Sequence, residues 1–343
     1  MKLSSRSVVT PLMLSLILVL LCAGVNFLGS TGVKTSLTEG LIYVTLVVGL
    51  SIFVSNSGVV SFGHGAFAMI GAYASAWQTC CSGMREVFMP GLPEFLIKTD
   101  VHPVLALLAA GLLAAVVAAI LGAAIMRLAG AAASIALLSV LFVVKATYEN
   151  WDSVTAGQSA IVGLPLYVNL WVALAGAIAS IVIAQAYACS RFGLRLRASR
   201  EDEIAARAAG INVWRERLWS FVLSAAVSAV GGALYGHFLG SIAVNMYWLD
   251  FTFLVLAMLV VGGVRSLSGA VLGALIVVFL RSALRSAEEG INIAHAVIQI
   301  PQGIQEITLA LLLLFILIFR PDGIMGDFEF RTFKNPKRSE DPK

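Results

Sequence analysis

Apolar runs long enough to cross a bilayer recur along nearly the whole chain, and this leaves very few folded states open to it. Ten such segments can be drawn, at about 8–28, 37–54, 60–79, 104–126, 131–148, 168–190, 218–239, 251–264, 269–283 and 303–319. In hydrocarbon every backbone amide and carbonyl must be bonded within the protein, so only helices or a closed barrel can span it. The segments approach the roughly 20 apolar residues of a helical span and lack the alternating pattern of barrel strands. Hydrophobic residues fill 59% of the 343 positions and charged residues 12%, with a mean hydropathy of +0.93, which excludes a soluble globular class. The expected fold is all-α and polytopic, with about eight to ten transmembrane helices. The range comes from the short eighth and ninth segments. Gly262, Gly263, Arg265, Ser266 and Ser268 interrupt them, so they form either two spans or one re-entrant pair.

Charge orients these spans. Lys2 and Arg6 precede the first run and predict a cytoplasmic N-terminus. That run, about 21 residues long and without a small-residue cleavage site, is expected to be a retained span and not a signal peptide. The pieces 1–7, 127–130, 191–217, 265–268 and 320–343 then face the cytoplasm and hold 17 of the 23 Lys and Arg residues, a strong positive-inside bias. Both termini are cytoplasmic in this topology. A single membrane domain over 1–320 precedes a charged tail, 321–343. Four cysteines, Cys22, Cys80, Cys81 and Cys189, show no metal-binding spacing, and no disulfide is expected.

The longest departure from apolarity is 191–217, where seven arginines and four acids place 11 of the chain's 42 charges in 27 residues. Ser199 is placed as an N-cap, with Glu201, Asp202 and Glu203 at the positive end of a short helix over about 200–209. Glu203 and Arg207 have the favourable i,i+4 order, and Gly210 is placed to stop the helix. Ala205, Ala206, Ala208 and Ala209 give it a narrow surface suited to a groove on another protein. The plainer reading is a solvated connector held to anionic lipid.

A second polar patch, Ser55, Asn56, Ser57, Gly58, Ser61, Gly63, His64 and Gly65, interrupts a long apolar stretch. It is either a turn between spans two and three or a discontinuous helix lining a translocation path. His64 either bonds a neighbouring helix or meets the solute, and His237 poses the same choice. Gly232, Gly236 and Gly240, and again Gly269 and Gly273, have the spacing that lets helices approach closely, within the chain or between subunits. Lys145 and Glu149 form an i,i+4 pair at an external helix end. The chain has no Gly-Lys dipeptide and hence no phosphate-cradling loop of the P-loop type.

The run from Arg191 to Val213, RFGLRLRASREDEIAARAAGINV, resembles the cytoplasmic coupling loop of branched-chain amino acid ABC transporter permeases. Gly58 to Phe67, GVVSFGHGAF, is similar to the glycine/serine/histidine motif of the same family. Further matches lie at Thr155 to Pro165, Val260 to Gly273, and Phe319 to Gly326. Ala156 and Ala160 stand where the family often has glycine, Val59 replaces a polar residue, and Phe142 stands where an acid is expected. The resemblance implies the second permease type of a high-affinity importer in the bacterial inner membrane. It implies a second homologous permease, two ATPase subunits that carry ATP and Mg²⁺, and a periplasmic binding protein; this chain itself binds no cofactor and no nucleic acid. In that setting Ser199, Glu201, Asp202, Glu203, Ala206, Arg207 and Gly210 couple to the ATPases. Asn56, Ser57, Gly58, Ser61, Gly63, His64 and Gly65 line the path. Branched-chain or other amino acids are the expected cargo; urea, short amides and small carboxylates are the alternatives. A stand-alone secondary transporter or channel would need mid-span ionisable groups.

Overall fold

Each of the ten apolar segments forms a helix. The computed structural model describes residues 9–80, 85–98, 101–128, 130–288, 291–293, 296–298, 303–320 and 322–326. In chain order come α1 (Val9–Leu28), α2 (Thr31–Ser57), α3 (His64–Thr79), α4 (Arg85–Phe88), α5 (Glu94–Lys98), α6 (Pro103–Ile125), α7 (Ala131–Glu149) and α8 (Asp152–Thr155). Then follow α9 (Leu170–Cys189), α10 (Arg191–Glu201), α11 (Glu203–Ala208), α12 (Val213–Leu239), α13 (Leu249–Gly262), α14 (Leu267–Glu288) and α15 (Ile304–Phe319). By length and composition, eight stretches suffice to cross a membrane: α1, α2, α6, α7, α9, α12, α14, and α13 together with the 3-10 turn before it. The helices α3 and α15 have 16 residues each and fall short of that length. The ninth segment is a full-length helix, and the eighth gains its length from the turn at Val244–Tyr247. Two small antiparallel ladders add to this all-helical frame, β1 (Ile161–Val162) with β2 (Ser241–Ile242), and β3 (Ile291–Ile293) with β4 (Ala296–Ile298).

The core is arranged around α2. Its apolar window is 94% buried, against 22% for α1 and 28% for α6, so α2 is the axis while α1 and α6 turn most of their surface outward. α12, α9 and α14 pack directly on α2, and α3 fits between α12 and α6. Small residues make this density possible. A Cβ on Gly232 would lie 2.1 Å from the Ala68 carbonyl oxygen, and one on Gly71 would lie 2.1 Å from that of Ala229. The α3 and α12 backbones therefore touch, and the Gly232 spacing serves packing within the chain. The same holds for α13 and α14, where a Cβ on Gly273 would meet the Met258 carbonyl oxygen at 2.0 Å.

The connections are tied down by backbone groups. Arg85, almost fully buried, donates to the carbonyls of Cys80 (2.9 Å), Leu96 and Ile97 (3.4 Å), which organises the segment between α3 and α6. Cys80 is disulfide-bonded, which corrects the expectation that no cysteine is bridged; Cys22 and Cys189 are free, and Cys81 lies outside the described residues. The last carbonyls of α13 have no partner in their own helix. Ile324 and Met325 supply one, donating to Val261 (2.9 Å) and Gly262 (3.0 Å). Residues 322–326 thus cap a helix, and the rest of the expected tail lies outside the described residues.

Ala156 ends α8 at φ 58°. That left-handed conformation costs a non-glycine residue about 1–2 kcal/mol. Glycine removes the strain but loses about 0.5–1 kcal/mol to its freer unfolded chain. Ala156→Gly is therefore expected to stabilise the protein by up to about 1 kcal/mol, read as a raised thermal midpoint in detergent.

Candidate functional site

The charged segment 191–217 folds into two helices and not one. Ser190 caps α10, accepting from the Gly193 amide at 3.2 Å. Gly193, Leu196 and Ser199 form its buried stripe. Ser199 is therefore not the expected N-cap: it lies inside α10, buried, and donates to the Leu196 carbonyl at 2.7 Å. The cap of the next helix is Asp202, whose Oδ1 accepts from the Ala205 amide at 2.9 Å. The short helix expected over about 200–209 is accordingly α11, beginning at Glu203.

α11 ends as its sequence demands. Gly210 takes φ +81°, and the amides of Gly210 and Ile211 bond back to Arg207 and Ala206 at 3.0 Å each, the Schellman arrangement that favours glycine at this position. Ala206 faces inward and is buried, contrary to a uniformly smooth surface. Ile204, 83% exposed, stands outward with Ala205, Arg207 and Ala208.

Ion pairs hold α11 and α10 to α12. Glu203 bonds Arg207 at 2.6 Å and reaches Arg217 on α12 at 2.8 Å. The Arg207 hydrogen bond, with Arg217 behind it, holds the Glu203 carboxyl below the usual carboxylate range, although partial desolvation acts the other way. The stabilisation is present above the ordinary carboxylate pKa of about 4.3 and is lost only as pH falls through the lower folded value. Glu201, exposed at the end of α10, pairs with Arg200 at 2.6 Å, which lowers its pKa likewise. Arg195 on α10 approaches Glu216 on α12 at 3.5 Å.

Arg200 also connects the two polar regions. Its Nη1 donates to the Ser55 carbonyl on α2 at 2.5 Å. Its stem lies over Gly58, where a Cβ would meet Arg200 Cγ at 2.7 Å. Gly58 has φ 72° and terminates α2. The patch at 55–65 is thus not a break within one helix: Ser55, Asn56 and Ser57 close α2, Gly58–Gly63 connect, and His64 opens α3. Asn56 donates to the Ile52 carbonyl at 2.8 Å, and Ser57 Oγ accepts from the Val59 amide at 3.1 Å. Gly63 and Gly65 admit close contacts from Leu137 on α7 and Thr252 on α13.

His64 is bonded on both ring nitrogens. Ser224 donates its single proton to the Gly49 carbonyl at 2.6 Å, so it can only accept from His64 Nε2, at 2.6 Å. Nδ1 then accepts from the Ser61 hydroxyl at 2.6 Å. The chain Ser61, His64, Ser224, Gly49 ties α3 to α12 and α2. His237 is tied in the same way. It donates through Nδ1 to the Pro165 carbonyl at 3.2 Å and accepts at Nε2 from Ser75 at 2.8 Å, fastening the segment before α9 to α3 and α12. The pair Lys145–Glu149 forms at 2.6 Å, with the ammonium over the Trp248 ring.

Three cavities line successive parts of α2. One lies at Ser30–Glu39, one at Leu46 and Leu50, and one at Ser51–Asn56. The middle one is bounded by Ser61, His64, Ser228 and Thr252. Among the described residues the buried hydroxyls of Ser228 and Thr252 have no hydrogen-bond partner. The third contains Asn56, Gln185, Arg197 and Arg265, beside the Arg200 contact. Sequence reasoning missed this continuity because it looked for polar clusters, whereas α2 is lined by isolated polar residues spaced along an apolar helix. Among the described residues, no group of three or more His, Cys, Asp or Glu side chains could hold a metal.

His64→Ala removes a bonded pair from each side of the ring, and a buried polar group left unmatched costs about 1–3 kcal/mol. A lowered thermal midpoint of that order is expected in purified protein; an unchanged midpoint would show that the histidine does not lock α3 to α12.

The model of a family described as "Branched-chain amino acid transport system / permease component" matches residues 32–319. The chain is 25% identical over 342 residues to the high-affinity branched-chain amino acid transport system permease protein LivM of Escherichia coli (strain K12), covering 90% of this chain and 73% of that protein. It is 28% identical over 320 residues to the corresponding permease protein LivH of Salmonella typhimurium, covering 84% and 92%. A probable LivM of Methanocaldococcus jannaschii is 28% identical over 137 residues, 40% of each chain. No solved structure matches.

Proposed function

This chain belongs to the family of branched-chain amino acid transport permeases, and from that premise we propose how it works as the membrane-spanning subunit of an ATP-driven amino-acid importer. α11 docks into ATPase subunits that hydrolyse ATP on their own phosphate-binding loops. A second, homologous permease completes the pore, and a binding protein delivers the solute on the far side of the inner membrane. The N- and C-termini lie on the ATPase side.

The observation that carries this reading is the double attachment of the docking segment. Glu203 ties α11 to Arg217 at the start of α12, and Arg200 ties the end of α10 to the last turn of α2. Closure of the ATPases pushes on the exposed face of α11. The push is delivered to α2 and α12 together, the two helices that pack most closely along the line of cavities. Partly buried charge-assisted hydrogen bonds suit this task, because they are stronger than neutral ones and directional. Solute passes along α2, from the cavity at Glu39 past Ser228 and Thr252 to the one at Asn56. The residues 56–65 form the inner part of that path, with Gly58 as its joint to the docking segment.

Gly210→Pro fixes φ near −65° where +81° is needed and so removes the stop of α11. Ile204→Asp changes only an exposed side chain and leaves the fold intact. Both variants are expected to lower ATP-driven uptake by the complete transporter at least about tenfold, with the permease still present in the membrane. Unchanged uptake and ATP hydrolysis in both would sink the docking role of α11.

A further inference from the structure

Glu39 on α2, and Arg281 and Arg285 on α14, are charges on membrane-crossing helices that lie apart from the segment 191–217. With Ser36, Ser282 and Ser286 they line a cavity of about 420 Å³, within the ~300–1,000 Å³ range of small-molecule sites. The spacing is ordered. Arg281 and Arg285, and Ser282 and Ser286, repeat at i,i+4 on one face of α14, while Ser36 and Glu39 share a face of α2. The Ser36 and Ser282 hydroxyls lie 2.6 Å apart and join the two walls. Ionisable groups inside spans are costly against lipid and mark pathways for polar solutes.

Position and charge then restrict what enters. Glu39 precedes Ser55, the residue that meets Arg200, by 16 positions on one helix, roughly 24 Å at 1.5 Å per residue. The cavity is therefore at the opposite end of α2 from the docking segment. One carboxylate against two guanidinium groups leaves its lining net positive. Val33 on α2 and Val278 on α14 form the apolar part of the lining.

We infer that this cavity is the entry site for a zwitterionic α-amino acid with an apolar side chain: Arg281 and Arg285 take the carboxylate, Glu39 takes the ammonium, and Val33 and Val278 receive the side chain. A planar guanidinium is suited to a carboxylate through paired hydrogen bonds. The inference rests on the importer reading and narrows it. Urea and short amides offer the arginines no anion, and small carboxylates leave Glu39 unmatched.

The test uses the complete transporter, with its partner permease, ATPases and binding protein, in proteoliposomes supplied with leucine. Arg281→Gln combined with Arg285→Gln is expected to raise the KM for leucine at least tenfold. Arg281→Lys, which keeps the charge but loses the paired hydrogen bonds, should raise the KM by less than the double variant, and Glu39→Gln should raise the KM as well. An unchanged KM in the double variant overturns the assignment. Should that variant fail to assemble, Ser286→Cys, in a Cys22→Ser, Cys189→Ser background, gives a second measurement in vesicles open to the external face. A sulfonate-bearing methanethiosulfonate reagent should label it faster than a trimethylammonium one, and leucine should slow the labelling. Equal rates without protection by leucine overturn the inference. Absence of ATP-driven uptake of any solute would instead remove the importer reading. ATP-driven uptake of urea or an amide that leucine neither competes with nor slows would leave the importer standing and remove only this entry site.

Discussion

The backbone contact between α3 and α12 at Gly71 and Gly232 sets the spacing of the elements around it. In a membrane, hydrophobic exclusion from water does not hold one helix against another, so close packing and interhelical hydrogen bonds must do so. With no side chains between the two backbones, α12 comes near enough for Ser224 to reach both His64 on α3 and Gly49 on α2. Three helices are thereby locked at one level of the bundle, and α2 is enclosed on nearly every side. Its enclosure is what allows isolated polar residues along it to be tolerated: they face protein and cavities, not lipid.

The docking segment uses the opposite kind of contact. α11 has six residues, too few to persist by itself in water. Its shape depends on Asp202 at one end, Gly210 at the other, and the Glu203 bridge to α12. A helix defined by its ends and held to α12 by a charge-assisted bond is a fixed element and not a flexible connector. The basic character of 191–217 serves internal attachment at Arg197, Arg200 and Arg217 at least as much as any lipid surface.

Much of this was legible in the chain. The ten helices follow from apolar run length, and Gly210 follows from the chemistry of helix stops, because glycine alone takes the left-handed position without strain. Two features were not. Ser199 and Asp202 are both good caps three residues apart, and the choice between them is made by burial of Leu196 and Ser199 beneath α10. The spacing Gly193, Leu196, Ser199 was the available sign, weak because two of its three members are small. Glu39 was overlooked for a different reason. Its partners in the cavity are about 240 positions away in sequence, and only the packing of α14 on α2 brings them to one place.

Charge is distributed unevenly along α2. Arginines stand at both ends of the line, Arg281 and Arg285 at one and Arg197 and Arg265 at the other. The middle is lined by no charged residue: its polar groups are the hydroxyls of Ser61, Ser228 and Thr252 and the ring of His64, already bonded on both sides. Between the outer and middle cavities, Tyr43, Tyr235 and Phe251 are in ring contact. A charged group moved through such a region without compensation meets a barrier of at least about 2.5–3.5 kcal/mol. Opening the contact requires α12, which carries Tyr235, to shift against α2, which carries Tyr43. Those are the same two helices that Glu203 and Arg200 connect to α11 and α10, so a displacement of α11 would be passed through these bonds to the ring contact.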